Sequence, residues 1–155
     1  MDSTAFCWIS RVVLCVIPMM VVGVPISAAP PGLDPCTFVT TAEVEQIISK
    51  LKRAPQSETL ADAKSCTYEF TDGQDEFEIW IGLGDAFARM RKDVKKPVTV
   101  GGFGEETYLE RGRLDLGLLE LTMRKGAVLA QLSIREGVGD EAKLKALALK
   151  AVGRM

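Results

Sequence analysis

Apolar and polar residues alternate along four stretches of the chain with the two-residue period of a half-buried strand. In the first, Cys66, Tyr68 and Phe70 alternate with Thr67, Glu69 and Thr71. An Asp72-Gly73 turn then leads into Phe77, Ile79 and Ile81, which alternate with Glu76, Glu78 and Trp80. This pattern predicts a β-hairpin. A second and clearer hairpin is predicted from Leu119, Leu121 and Met123, a Lys125-Gly126 turn, and the returning Val128, Ala130, Leu132 and Ile134. Val98-Thr99-Val100 and a segment through Tyr108 and Leu109, ending near Arg111-Gly112-Arg113, add shorter strands.

Helical periodicity replaces alternation at three places. Val44, Ile47, Ile48 and Leu51 recur at the spacing of one buried helix face, predicting a helix over Thr41 to Lys52. Thr40 and Glu43 form a capping box at its start, Val39 is placed to staple against Val44, and Pro55 lies beyond its end. Gln56 to Lys64 is polar and reads as loop. Gly82-Leu83-Gly84-Asp85 ends a strand and caps a second helix, with Ala86, Phe87, Met90 and Val94 inward and Pro97 as its stop. A third helix begins near Asp140 and carries Leu144, Leu147, Ala148 and Ala151 along one side. Sequential hairpins with one polar side imply an α+β fold, a mostly antiparallel sheet of about five to six strands with helices packed on one face.

The N-terminus has a different character. Arg11 precedes an apolar run from Val12 to Val24, followed by Pro25 and Ile26-Ser27-Ala28-Ala29. The run has the length of a signal-peptide core, about 7–15 residues, and is short for a membrane span. Residues 1–29 are therefore expected to be a signal peptide, residues 30–35 a short spacer, and residues 36–155 a single domain. An uncleaved anchor over Val12 to Ala29 is the alternative, although Pro18 and Pro25 interrupt it.

Export changes the reading of the cysteines. Of four, only Cys36 and Cys66 fall in the expected mature chain, and an even pair in an exported protein is most simply a disulfide. Two buried free thiols are the alternative if the chain is not exported. The pair lacks the Cys-x-x-Cys spacing of redox sites. The chain has no histidine, which removes the commonest general base and metal ligand and excludes Ser-His and Cys-His pairings. No metal or cofactor is expected. A net charge of -2 argues against a nucleic-acid partner. No stable membrane insertion is expected after cleavage.

Candidate binding residues are few. Trp80 falls on the charged side of its strand, so another element is expected to cover it; left facing solvent, it would be a binding anchor. The Gly101 to Tyr108 segment, with Gly102, Phe103 and Tyr108, resembles a phosphate loop but lacks the Gly-Lys-Ser/Thr ending and a following helix, so a tight turn between strands is expected. Gly82-Leu83-Gly84-Asp85-Ala86-Phe87 loosely echoes it. Arg89, Arg91, Lys92, Lys95 and Lys96 form a basic run on the second helix and its exit, normally a solvated face. Two carboxylate groups, Glu69 with Glu76 and Glu78, and Glu105 with Glu106 and Glu110, are the raw material for acid–base chemistry.

Cys36 with Thr40-Thr41-Ala42-Glu43-Val44, Cys66-Thr67-Tyr68, Val100-Gly101-Gly102-Phe103-Gly104-Glu105-Glu106 and the Met123-Arg124-Lys125-Gly126 hairpin together resemble a broad group of small, uncharacterised exported bacterial domains. Many of these are lipoproteins, similar in layout to the extracytoplasmic sensor domains of receptor kinases. The chain departs from the lipoprotein members in lacking a lipidation cysteine. The resemblance implies a fold and a compartment, and transfers no catalytic residue. The expected function is a non-catalytic periplasmic or secreted binding module for an envelope protein or small ligand. An inhibitor of a secreted enzyme and a carboxylate-based hydrolase are the alternatives.

Overall fold

The computed structural model describes residues 32–60, 63–71, 76–113 and 117–155. The expected signal peptide and the Asp72-Gly73 turn lie outside these residues. Three α-helices, α1 (Thr41–Ile47), α2 (Ala86–Asp93) and α3 (Glu141–Val152), accompany seven strands among the described residues. The strands are β1 (Gln56–Thr59), β2 (Lys64–Glu69), β3 (Glu76–Leu83), β4 (Val98–Thr99), β5 (Glu106–Arg113), β6 (Leu118–Lys125) and β7 (Val128–Arg135). They form one antiparallel sheet in the order β1-β2-β3-β7-β6-β5-β4.

Alternation sorts the side chains into two layers. Cys66, Tyr68, Phe70, Phe77, Ile79, Ile81, Leu121, Met123, Leu132 and Ile134 are fully buried on one face, where Val44 of α1 and Leu144, Leu147, Ala148 and Ala151 of α3 complete the core. Burying these side chains removes the apolar surface that drives folding, roughly 1.5–3 kcal/mol for each large one.

β2 also holds the segment that precedes α1. Three residues at alternate positions, Lys64, Cys66 and Tyr68, each grip it. The Lys64 ammonium donates to the Leu33 carbonyl at 3.0 Å, Cys66 is disulfide-bonded to Cys36, and the Tyr68 hydroxyl donates to the Val39 carbonyl at 2.5 Å. The anchored segment enters α1 through the expected capping box, in which the Thr40 and Glu43 side chains each accept from the other's backbone N–H.

The far end of the chain closes on the same place. Arg154, just past α3, forks onto both Glu43 carboxylate oxygens at 2.8 Å and donates to the Phe38 carbonyl at 2.7 Å. This guanidinium is the main reason the Glu43 carboxyl sits well below its usual range, at about 2; the backbone N–H of Thr40 adds to the effect and burial opposes it.

Four expectations need correction. The sheet has seven strands, because the polar Gln56 to Lys64 stretch contributes the exposed edge strand β1 and the start of β2. An edge strand with no covered side needs no apolar alternation, so it reads as loop. α1 stops at Ile47, and Leu51 reaches the core from extended backbone, bridged to Phe70. Nor do the helices share one face. Phe87 of α2 packs with Tyr108 and Leu129, which point opposite to the main core, while α1 and α3 lie on the core side. Asp85 precedes α2 but makes no side-chain cap there, whereas Asp140 caps α3 by accepting from the Lys143 N–H at 2.8 Å.

Reduction of the Cys36–Cys66 disulfide is expected to cost roughly 3–4 kcal/mol in urea denaturation, since it releases a loop of sequence separation 30 in the unfolded chain. The Glu43–Arg154 pair predicts an acid-dependent loss. Because the Glu43 pKa is lowered in the folded state, its contribution is complete above about pH 4.5 and disappears as pH falls toward about 2. With the solvent-facing guanidinium taken into account, Glu43→Gln should cost on the order of 1–2 kcal/mol at pH 6, and the difference from wild type should vanish near pH 2.

Candidate functional site

The side of the sheet opposite the main core is only half covered. α2 lies over the half that holds Leu129, Tyr108 and Trp80, with Met90 and Val94 packed beside them. Strand register lays out the other half. One row crosses five strands as Thr67, Glu78, Ser133, Glu120 and Glu110. The row next to it, toward α2, runs Ser65, Trp80, Gln131, Thr122 and Tyr108.

This surface is polar and yet partly withdrawn from water. Glu120 is 6% exposed and Thr122 0% exposed, while Glu78, Ser133, Gln131 and Glu110 are half-buried. The Gln131 amide donates to Glu120 at 3.3 Å. The Thr122 hydroxyl is buried with no hydrogen-bond partner among the described residues. Glu110 stands directly across from Glu120, an arrangement of like charges that normally destabilises a strand pair. Burial raises the Glu78 carboxyl above its usual range, and Glu76 and Glu58 add to this; the bond from the Ser65 hydroxyl opposes it. The acceptors on this surface are complementary to groups that donate hydrogen bonds or carry positive charge.

The residues singled out from sequence go to different places. Trp80 is half-buried beside α2, its indole lying over Gly82, where an added Cβ would come within 2.8 Å of the ring. Tyr108 joins it in the α2 cluster, 1% exposed, with its ring 5.4 Å from that of Phe87. Phe103 is buried in the main core on the other side, and Gly102 is exposed with φ +94°. The structure thus brings Trp80 and Tyr108 together and leaves Gly102 and Phe103 apart from them.

The glycine-rich segment is the turn of the β4–β5 hairpin. Gly104 has φ +96°, and a Cβ there would stand 2.5 Å from the Arg124 carbonyl oxygen. The echoing Gly84 meets the same hairpin from the other side, since its Cβ would stand 2.7 Å from the Gly126 carbonyl oxygen. The Gly84 N–H donates to Ala127 and the Glu105 N–H to Arg124, at 2.8 and 2.9 Å. The two similar motifs therefore share one physical task, which is close approach to the β6–β7 hairpin.

Of the carboxylates close in sequence, Glu69 stands directly across from Glu76, with Glu78 on the same face of the hairpin, while ion pairs engage Glu69, Glu105 and Glu106. Glu69 faces Lys52 and Arg53, and both Glu105 and Glu106 face Arg124. The row of Glu78, Glu120 and Glu110 draws instead on three strands distant in sequence. Sequence reasoning missed Glu120, Thr122 and Gln131. The available signal was that Leu129, Tyr108 and Trp80 are apolar at positions that alternation assigns to the polar side, so that side had to be partly covered.

The raised Glu78 pKa means that its ionised form is disfavoured by folding. Its protonated form stabilises the fold below about pH 4.5, and this contribution is lost as pH rises through the higher folded-state value. Glu78→Gln should therefore raise stability at pH 7, and the gain should shrink toward zero near pH 4 in parallel urea titrations. No family model, curated protein or solved structure matches this chain.

Proposed function

We propose that the chain is a non-catalytic, exported binding domain, periplasmic or secreted, that recognises an envelope protein or small ligand through the open half of its sheet. The observation that carries this reading is the half-covered face itself. Folding leaves Glu78, Glu110, Gln131 and Ser133 half-buried and in register on a side where α2 covers only the neighbouring residues. Retaining costly polar groups at such a surface is the usual mark of a site shaped by recognition, where stability is given up for binding. An intramolecular disulfide suits an oxidising compartment, and no helix among the described residues is long and apolar enough to cross a membrane. The resemblance to exported bacterial domains agrees with this reading.

The test is site-specific crosslinking in the producing cell. A photo-reactive residue in place of Gln131 should yield an adduct that excess unlabelled protein competes away and that Glu78→Lys diminishes at least about tenfold. The same residue in place of Leu149, which is 55% exposed on α3, should yield none. Equal labelling from both positions, or no competable adduct from Gln131, would refute the open face as the recognition surface.

A further inference from the structure

Two patches of opposite charge lie side by side on the α2 side of the sheet. The first is the basic run of α2 and its exit. Arg89, Lys92, Lys95 and Lys96 are exposed and form no ion pair among the described residues. By contrast, Lys52, Arg53, Arg111, Arg124, Lys145, Lys150 and Arg154 all find carboxylates. The second patch is the uncovered half of the sheet. Glu58, Glu69, Glu76, Glu78, Glu110 and Glu120 all lie on it by register, with Arg135 in its outer row and Lys52 and Arg53 paired to Glu69.

We propose that the chain self-associates through this face as a two-fold symmetric dimer, the α2 of each copy lying on the open, carboxylate-rich half of the other's sheet. The proposal rests on the reading of that face as the recognition surface and names a second copy as its occupant. Adjacent patches of opposite sign on one surface meet the condition for an isologous interface. A two-fold axis lying in the interface along their boundary carries each patch onto its opposite. A polyanion would engage α2 alone and a cationic ligand the sheet alone, whereas a second copy engages both. The pairing also lays a helix over the uncovered strands, as α2 already does over the other half. Because opposed charges hold the two copies together, the association is sensitive to salt.

The decisive experiment is sedimentation equilibrium of the oxidised full chain at about 100 µM, in roughly 50 mM and 500 mM salt. A dimer is expected at low salt, with its dissociation constant rising at least about tenfold at high salt. Two charge-reversed variants, Lys92→Glu with Lys95→Glu and Lys96→Glu, and Glu76→Lys with Glu110→Lys, should each be monomeric. Mixed in equal amounts they should form a heterodimer, because each then meets the opposite charge at both contacts. A monomeric wild type at low salt overturns the dimer, as does a dimer insensitive to salt or one that persists in either variant. If the wild type is monomeric while the competable Gln131 adduct with another molecule remains, the dimer alone fails; if both are absent, the recognition surface fails with it. The salt dependence of the wild type decides the matter even where a variant does not fold.

Discussion

The grip of β2 on the segment before α1 is the constraint on which the rest of the domain depends. Lys64, Cys66 and Tyr68 project from alternate positions and hold Leu33, Cys36 and Val39, which recur every three residues. One covalent bond and two hydrogen bonds thereby lay a short, irregular segment across a strand with which it shares no backbone ladder. Tyr68 is fully buried and its ring lies 5.4 Å from that of Phe77, so the same side chain that holds the segment also fills the core. Burial pushes its hydroxyl well above the usual range, and the Asp34 and Glu43 carboxylates add to this, which keeps the phenol a donor. Once that segment is set, the capping box defines where α1 starts, and Arg154 can close the C-terminus onto Glu43.

With α1, α3, the segment before α1 and Arg154 committed to one face, the other is left to α2. A helix of eight residues cannot cover a seven-stranded sheet. The consequence is an asymmetric molecule with one dense apolar layer, and on its reverse a small aromatic cluster beside an open polar field. The features that cost the fold stability are concentrated in that field. Glu110 faces Glu120, Glu78 is desolvated, and the Thr122 hydroxyl is buried without a partner among the described residues. None of these features helps the domain fold. They are the features on which the proposed recognition surface rests.

Much of the domain was legible in short stretches of sequence. The hairpins around Tyr68 and Met123, the box at Thr40, the cap at Asp140 and the pairing of Cys36 with Cys66 all follow from residue types at short spacings or from the cysteine count. The reading of α1 ran too far because Ile47, Ile48 and Leu51 keep helical spacing, yet an apolar side chain reaches the core equally well from extended backbone. β1 was missed because an exposed edge carries no alternation to detect. Glu69 and Glu76 do meet across the first hairpin, but Lys52, Arg53 and Arg124 from elsewhere in the chain neutralise Glu69, Glu105 and Glu106. Glu78 and Glu110 join Glu120 only through strand order.

The sequence by itself determined the α+β class, the inward sets of β2, β3, β6 and β7 and the position of most helix starts, because alternation and capping depend on residues only a few positions apart. It also contained the charges of both patches. The tertiary structure alone decided that β3 lies beside β7, that α2 crosses to the reverse face, and that Glu78, Ser133, Glu120 and Glu110 form a single row. Those outcomes depend on strand order and register between segments tens of residues apart, where packing of the whole core chooses among pairings that local patterns permit equally.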